Sequence, residues 1–193
     1  MNQQNKDCHK MSDLIVLYFH GYGSSPLTDK VSDLKRSFAD VRAPQIPLLF
    51  QEAQSTLCDY VESLMCEKRD LIIVGTSLGG YWAGMIGAKY DIPTVLVNPA
   101  IDPAKSLVQF DDTRLTTDEL AKFDKITKSS SPRMVLLAED DDIIPPHEAA
   151  RLFADNAKVQ LFRDGGHRFQ CPERIADAVK YLMQYDMTDV VND

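Results

Sequence analysis

Gly75-Thr76-Ser77-Leu78-Gly79 sets a serine between two glycines directly after the apolar run Leu71-Ile72-Ile73-Val74. In this G-x-S-x-G pattern the serine occupies a tight strand-to-helix turn, its oxygen lifted clear of the backbone and near the positive end of the next helix. The glycines are needed where a β-carbon would strike the neighbouring strand or helix. A chain of this composition carries the pattern by accident about 3 % of the time, so Ser77 is the candidate nucleophile. Its hydroxyl is weak until a base removes the proton. Asp164-Gly165-Gly166-His167 supplies an imidazole, late in the chain. The order serine, acid, histidine then requires an orienting carboxylate between them. Glu139-Asp140-Asp141-Asp142 follows the apolar run 134–138, and spacing leaves Asp140, Asp141 and Asp142 open.

Acyl chemistry also needs backbone N–H groups aimed at a developing oxyanion. The N–H of Leu78, next after the nucleophile, is one natural donor. The second is the N–H of Tyr22 in His20-Gly21-Tyr22-Gly23-Ser24-Ser25-Pro26, where glycines on both sides leave it room. His20 precedes the serine, the wrong order for the base, and is read as a group that shapes this loop. Tyr22, Leu48, Leu49, Phe50 and Trp82 are candidates to line a pocket, and equally to pack in the core or against a helix. There is no P-loop, and His147-Glu148 lacks a second histidine at zinc-helix spacing, so neither a cofactor nor a metal is expected.

These groups need elements that end close together. Apolar runs at 14–19, 71–74, 94–97 and 134–138, with weaker ones at 41–43 and 159–162, predict six strands. Between them lie helical patterns: Leu27, Val31, Leu34 and Phe38 first, then 51–68, 78–90, 146–156 and 172–185. The last two are each opened by a proline. Strand–helix alternation predicts an α/β chain with a mostly parallel sheet covered on both faces and ligands outside the carboxyl ends of the strands. Residues 1–12 read as a disordered tail, 13–193 as one domain, and 101–131 as a short helical insertion over one end of the sheet.

The 193 residues suit one domain with a sizeable core. Twenty-one basic against 29 acidic residues give a net charge of −8, which disfavours nucleic acid and anionic lipid as partners. No apolar stretch reaches the length of a membrane span. The polar first thirteen residues lack a signal core, and Cys8, Cys58, Cys66 and Cys171 form no C-x-x-C pair. A cytoplasmic protein with free thiols is expected.

Taken together, these residues resemble the α/β-hydrolase fold, and more closely the small bacterial YqiA/YcfP-type esterases. The resemblance is carried by His20-Gly21 with Ser24-Ser25-Pro26, Pro44-Gln45-Ile46-Pro47, 75–81, Val97-Asn98-Pro99-Ala100, Asp141 with Ile143-Ile144, and Gly165-Gly166 with His167. It implies a compact one-domain esterase with a minimal cap, acting on a small ester or thioester through Ser77, Asp141 and His167. In that family the acid precedes one variable residue and two aliphatics, which selects Asp141; Asp140 stands where the family usually has glycine. The same residues bear on two other classes. Gly21-x-Gly23 with Asp40 could suggest dinucleotide binding, but Pro26 occupies the third glycine position. A hydrolase retired to a binding role is the other, and intact serine, histidine and aspartate candidates argue against it.

Overall fold

The computed structural model describes residues 13–184; the tail expected at 1–12 lies outside them. Six strands form one sheet: β1 (Leu14–Phe19), β2 (Asp40–Arg42), β3 (Asp70–Thr76), β4 (Thr94–Val97), β5 (Arg133–Ala138) and β6 (Lys158–Phe162). Their order is β2-β1-β3-β4-β5-β6, and every pairing is parallel. The helices are α1 (Asp29–Ser37), α2 (Phe50–Met65), α3 (Leu78–Tyr90), α4 (Pro103–Ser106), α5 (Thr117–Leu120), α6 (Pro146–Phe153) and α7 (Pro172–Gln184), with a 3-10 turn at Val108–Phe110. This is the α/β-hydrolase fold in a small form.

Both faces of the sheet are covered, which explains why the central strands are apolar without alternation. All six residues of β1 are buried, yet they divide between two cores. Ile15, Leu17 and Phe19 point to the side of α2, α3 and α6, where they meet Leu57, Val61, Ala83, Ile86 and Phe153. Leu14, Val16 and Tyr18 point to the side of α1 and α7, against Val31, Leu34, Ile175 and Val179. The edge strands β2 and β6 are only partly buried, matching their weak sequence signal.

Local chemistry sets the element ends. Thr28 caps α1 by accepting from the Val31 N–H, with Asp29 in the first turn and Lys35 and Arg36 in the last. Segment 101–131 is helical only in the single turns of α4, α5 and the 3-10 turn. It packs Leu107, Leu115, Phe123 and Ile126 into the core on the α3 side. Its ends are tied together by the Ile126 N–H on the Ile101 carbonyl, 2.9 Å, and the carboxylate of Glu119 accepts from the Phe50 N–H that opens α2. No described helix is long and apolar enough to cross a membrane.

The chain leaves β1 toward β2 on one side, then returns to build β3 to β6 on the other. The carboxyl ends of β1 and β3 are therefore neighbours at the point where strand order reverses, the place where such sheets hold ligands. Phe19 pairs with Gly75, so the loops after these two strands emerge side by side.

Candidate active site

Ser77 stands at the turn from β3 to α3 with φ 54° and ψ −121°, a conformation that L-residues rarely adopt. It is held there from several directions. Its N–H donates to the Val97 carbonyl at 3.0 Å, and its carbonyl accepts from Tyr81 at 3.1 Å and Ala100 at 3.0 Å. The glycines of the motif are sterically required. A β-carbon on Gly75 would stand 2.1 Å from the Gly79 carbonyl oxygen, and one on Gly79 would stand 2.1 Å from that of Phe19.

His167 lies on the loop between β6 and α7, after Gly165 and Gly166, both at positive φ. Its Nε2 is 3.0 Å from Ser77 Oγ. Its Nδ1 is 3.0 Å from each carboxylate oxygen of Asp141. A carboxylate only accepts, so the ring hydrogen belongs on Nδ1 and Nε2 is left as an acceptor for the serine hydroxyl. The Asp141 side chain is 1 % exposed and that of His167 20 %. Asp141 Oδ1 also accepts from the N–H groups of Ile143 (2.9 Å) and Ile144 (2.8 Å), a local turn that aims the carboxylate inward. Of the three aspartates left open by spacing, Asp141 is the one brought to the histidine.

Asp140 has a different partner: its Oδ1 accepts from the Gly166 N–H at 2.8 Å. Asn98, which sequence reasoning passed over as part of Asn-Pro-Ala, is buried at the end of β4 with φ 42°. Its Oδ1 accepts from the Ala138 N–H (2.8 Å), while its Nδ2 donates to the carbonyls of Gly166 (3.0 Å) and His167 (3.2 Å). Left-handed backbone at a non-glycine residue is tolerated best by asparagine, and an asparagine directly after a strand end was the available signal.

The loop carrying Tyr22 lies against the serine: a β-carbon on Gly21 would come within 3.2 Å of Ser77 Cβ. His20 is buried. Its Nε2 accepts from the Ile46 N–H at 3.1 Å and its Nδ1 lies 3.0 Å from the Gly21 carbonyl, which places the ring hydrogen on Nδ1. Burial holds its pKa below the ordinary value, opposed in part by the Gly21 contact. His20 thus joins the Tyr22 loop to Pro44-Gln45-Ile46-Pro47. The phenol of Tyr22 donates to Asp112 Oδ2 at 2.7 Å, and its ring stacks on Phe110 with centroids 4.6 Å apart. Arg114 grips the same carboxylate, so the tip of the insertion fastens the loop beside the serine.

Two clefts flank Ser77 and share Tyr22 as a wall. One, of about 420 Å³, holds Ser77 and His167 with Phe110, Ile143, Arg168 and Gln170. The other, of about 370 Å³, is bounded by Leu78, Gly21, Gln45, Ile46, Leu48 and Arg114. Tyr22 and Leu48 therefore line clefts as expected from sequence. Phe50 and Trp82 line neither of these two clefts: they pack on each other and on Phe123, with centroids 5.2, 5.0 and 5.9 Å apart. Leu49 instead caps α2, its carbonyl accepting from Ala53. Among the described residues no group of three or more histidine, cysteine, aspartate or glutamate side chains could hold a metal ion.

Comparison with known proteins agrees with this architecture. An esterase from Pyrococcus furiosus superposes with TM-score 0.73 at 15 % identity, covering 91 % of this chain and 83 % of its own. Alpha/beta hydrolase domain-containing protein 10 from mouse superposes with TM-score 0.63 at 14 % identity, covering 87 % and 88 %. A UPF0227 protein of Shewanella woodyi is 29 % identical over 136 residues, which is 66 % of this chain and 76 % of that one. Residues 15–184 match the uncharacterised protein family UPF0227, and the chain belongs to that family.

Proposed function

We propose that this protein is a serine hydrolase that cleaves carboxylic esters through an acyl-enzyme, with Ser77, His167 and Asp141 as its catalytic residues. One observation carries the reading: the unbroken hydrogen-bonded series from Ser77 Oγ through both ring nitrogens of His167 to the Asp141 carboxylate. His167 Nε2 takes the hydroxyl proton as Ser77 Oγ bonds to the ester carbon, and the carbonyl oxygen becomes an oxyanion. The backbone N–H groups of Tyr22 and Leu78 are proposed to hold that oxyanion. Loss of one such donor costs about 2.7–4 kcal/mol of barrier. The proton on Nε2 passes to the leaving oxygen as the carbon–oxygen bond breaks. Water, deprotonated in turn by Nε2, then splits the acyl-enzyme and returns the serine.

Because His167 must deliver a proton to the leaving group, that group belongs in the cleft His167 lines. The acyl chain then takes the cleft beside Leu78. A thioester would be cleaved by the same parts, with the thiol leaving from the His167 side. The free thiols of Cys58, Cys66 and Cys171 fit a reducing, cytoplasmic setting. The test is covalent labelling by a fluorophosphonate together with a panel of esters and thioesters of graded acyl length. Wild type should label and turn over the panel, and Ser77→Ala should do neither. A folded wild type that does neither would leave the protein as a binding module.

A further inference from the structure

The imidazole stands at β3, yet its loop springs from β6, at the far edge of the sheet. Three strand spacings, about 14 Å, separate the two. The loop must cross the ends of β5 and β4 to reach Ser77, and glycines at 165 and 166 deprive it of side chains that could anchor it. At each crossing one side chain holds its backbone. At the end of β5, Asp140 takes the Gly166 N–H. At the end of β4, Asn98 binds the carbonyls of Gly166 and His167 while its own amide oxygen is fixed by the Ala138 N–H.

We propose that Asn98 and Asp140 are positioning residues that hold the His167 loop, and thereby the imidazole, at hydrogen-bonding distance from Ser77. Asn98 also joins this loop to the root of the Asp141 turn, since Ala138 ends the strand that leads into it. Both the base and its orienting acid are therefore referenced to one buried amide. The inference rests on the hydrolase reading for its kinetic consequence, but the loop geometry can be read without turnover.

Asn98→Asp keeps the size and the acceptor for Ala138 but replaces the two donated bonds with an oxygen facing two carbonyls. Asp140→Ala removes the other hold, and Asp140→Asn restores it because an amide oxygen still accepts from Gly166. Displacing a catalytic group by about 1 Å can cost 100-fold, so each loss should lower kcat tenfold or more with KM within twofold. Asp140→Asn should recover the rate lost in Asp140→Ala. In parallel, the His167 Nδ1 proton signal, assigned by its absence in His167→Gln, should weaken or move in Asn98→Asp and Asp140→Ala. A folded wild type that neither labels nor hydrolyses ester overturns the hydrolase reading, and the proton signal still judges the loop. An unmoved signal in both variants, or a loss in Asp140→Ala that Asp140→Asn fails to restore, overturns the positioning role.

Discussion

A carboxylate can occupy a loop for solvation or for aim, and Asp141 differs from its neighbours in how many groups aim it. It accepts from two backbone N–H groups and faces the imidazole, whereas Asp140 faces a backbone N–H of the opposite loop. Asp141→Asn should lower kcat about 10⁴-fold, because the ring hydrogen is then held in the wrong tautomer; steady-state kinetics on a soluble ester measures it. His20 yields a different expectation. Its folded pKa lies below the ordinary value, so the unfolded chain binds the proton more readily as pH falls below about 6.5. The stability tied to neutral His20 is complete above that pH and declines beneath it. Urea midpoints taken at about pH 7.5 and about pH 5.5 should show the decline, and His20→Gln should flatten it. The serine, the histidine and the shaping role of His20 were all legible in residue type and chain order. The choice of Asp141 came through family resemblance, since one-residue shifts within a turn re-aim a side chain without altering composition. Asn98 entered only as a mark of the family, because its amide acts on backbone, which no residue type announces.

Glycine positions separate two physical roles at the level of elements. Gly79 lies where α3 meets the end of β1, and an added methyl would collide with the carbonyls of Phe19 and His20. Gly79→Ala should therefore cost about 3 kcal/mol through overpacking at backbone that cannot yield. Gly23 has positive φ but open space around it, so Gly23→Ala should cost only about 1 kcal/mol. Denaturant unfolding of the two variants tests the contrast. The insertion also acts as an element: Tyr22→Phe removes its bond to Asp112 while keeping the stack on Phe110. On a half-buried ring that loss should reduce kcat/KM about threefold. Helix 78–90 and strand 94–97 were predicted with the observed bounds because glycine, proline and β-branched residues punctuate them sharply. The helix predicted over 51–68 ends earlier, at Met65, where Lys68 turns left-handed. Of the two roles open to Trp82, core packing is the one it takes, for a physical reason. An aromatic on a helix of small residues is pulled toward whichever neighbour offers rings, and Phe50 and Phe123 do.

For the molecule as a whole, one cluster of ion pairs gathers beside the amino ends of the strands. At the amino edge Asp40 binds Arg42 and Arg69, and these hydrogen bonds, Arg42's foremost, bring its carboxyl down to about 2. Its contribution is present above the ordinary value of 3.8 and is lost as pH falls toward 2. Acid unfolding should thus add a second loss below that of His20, and salt should erode it in part because these side chains remain 23–27 % exposed. Circular dichroism along an acid titration at low and high salt measures both.

The all-parallel sheet also means that every loop bearing the proposed chemistry leaves from one pole. Cys66, exposed just past the end of α2, sits beside the opposite pole, about 20 Å away along a six-residue strand. A maleimide-bearing bead or dye attached through that thiol would leave both clefts open to the bulk liquid, making the molecule easy to tether without blinding it.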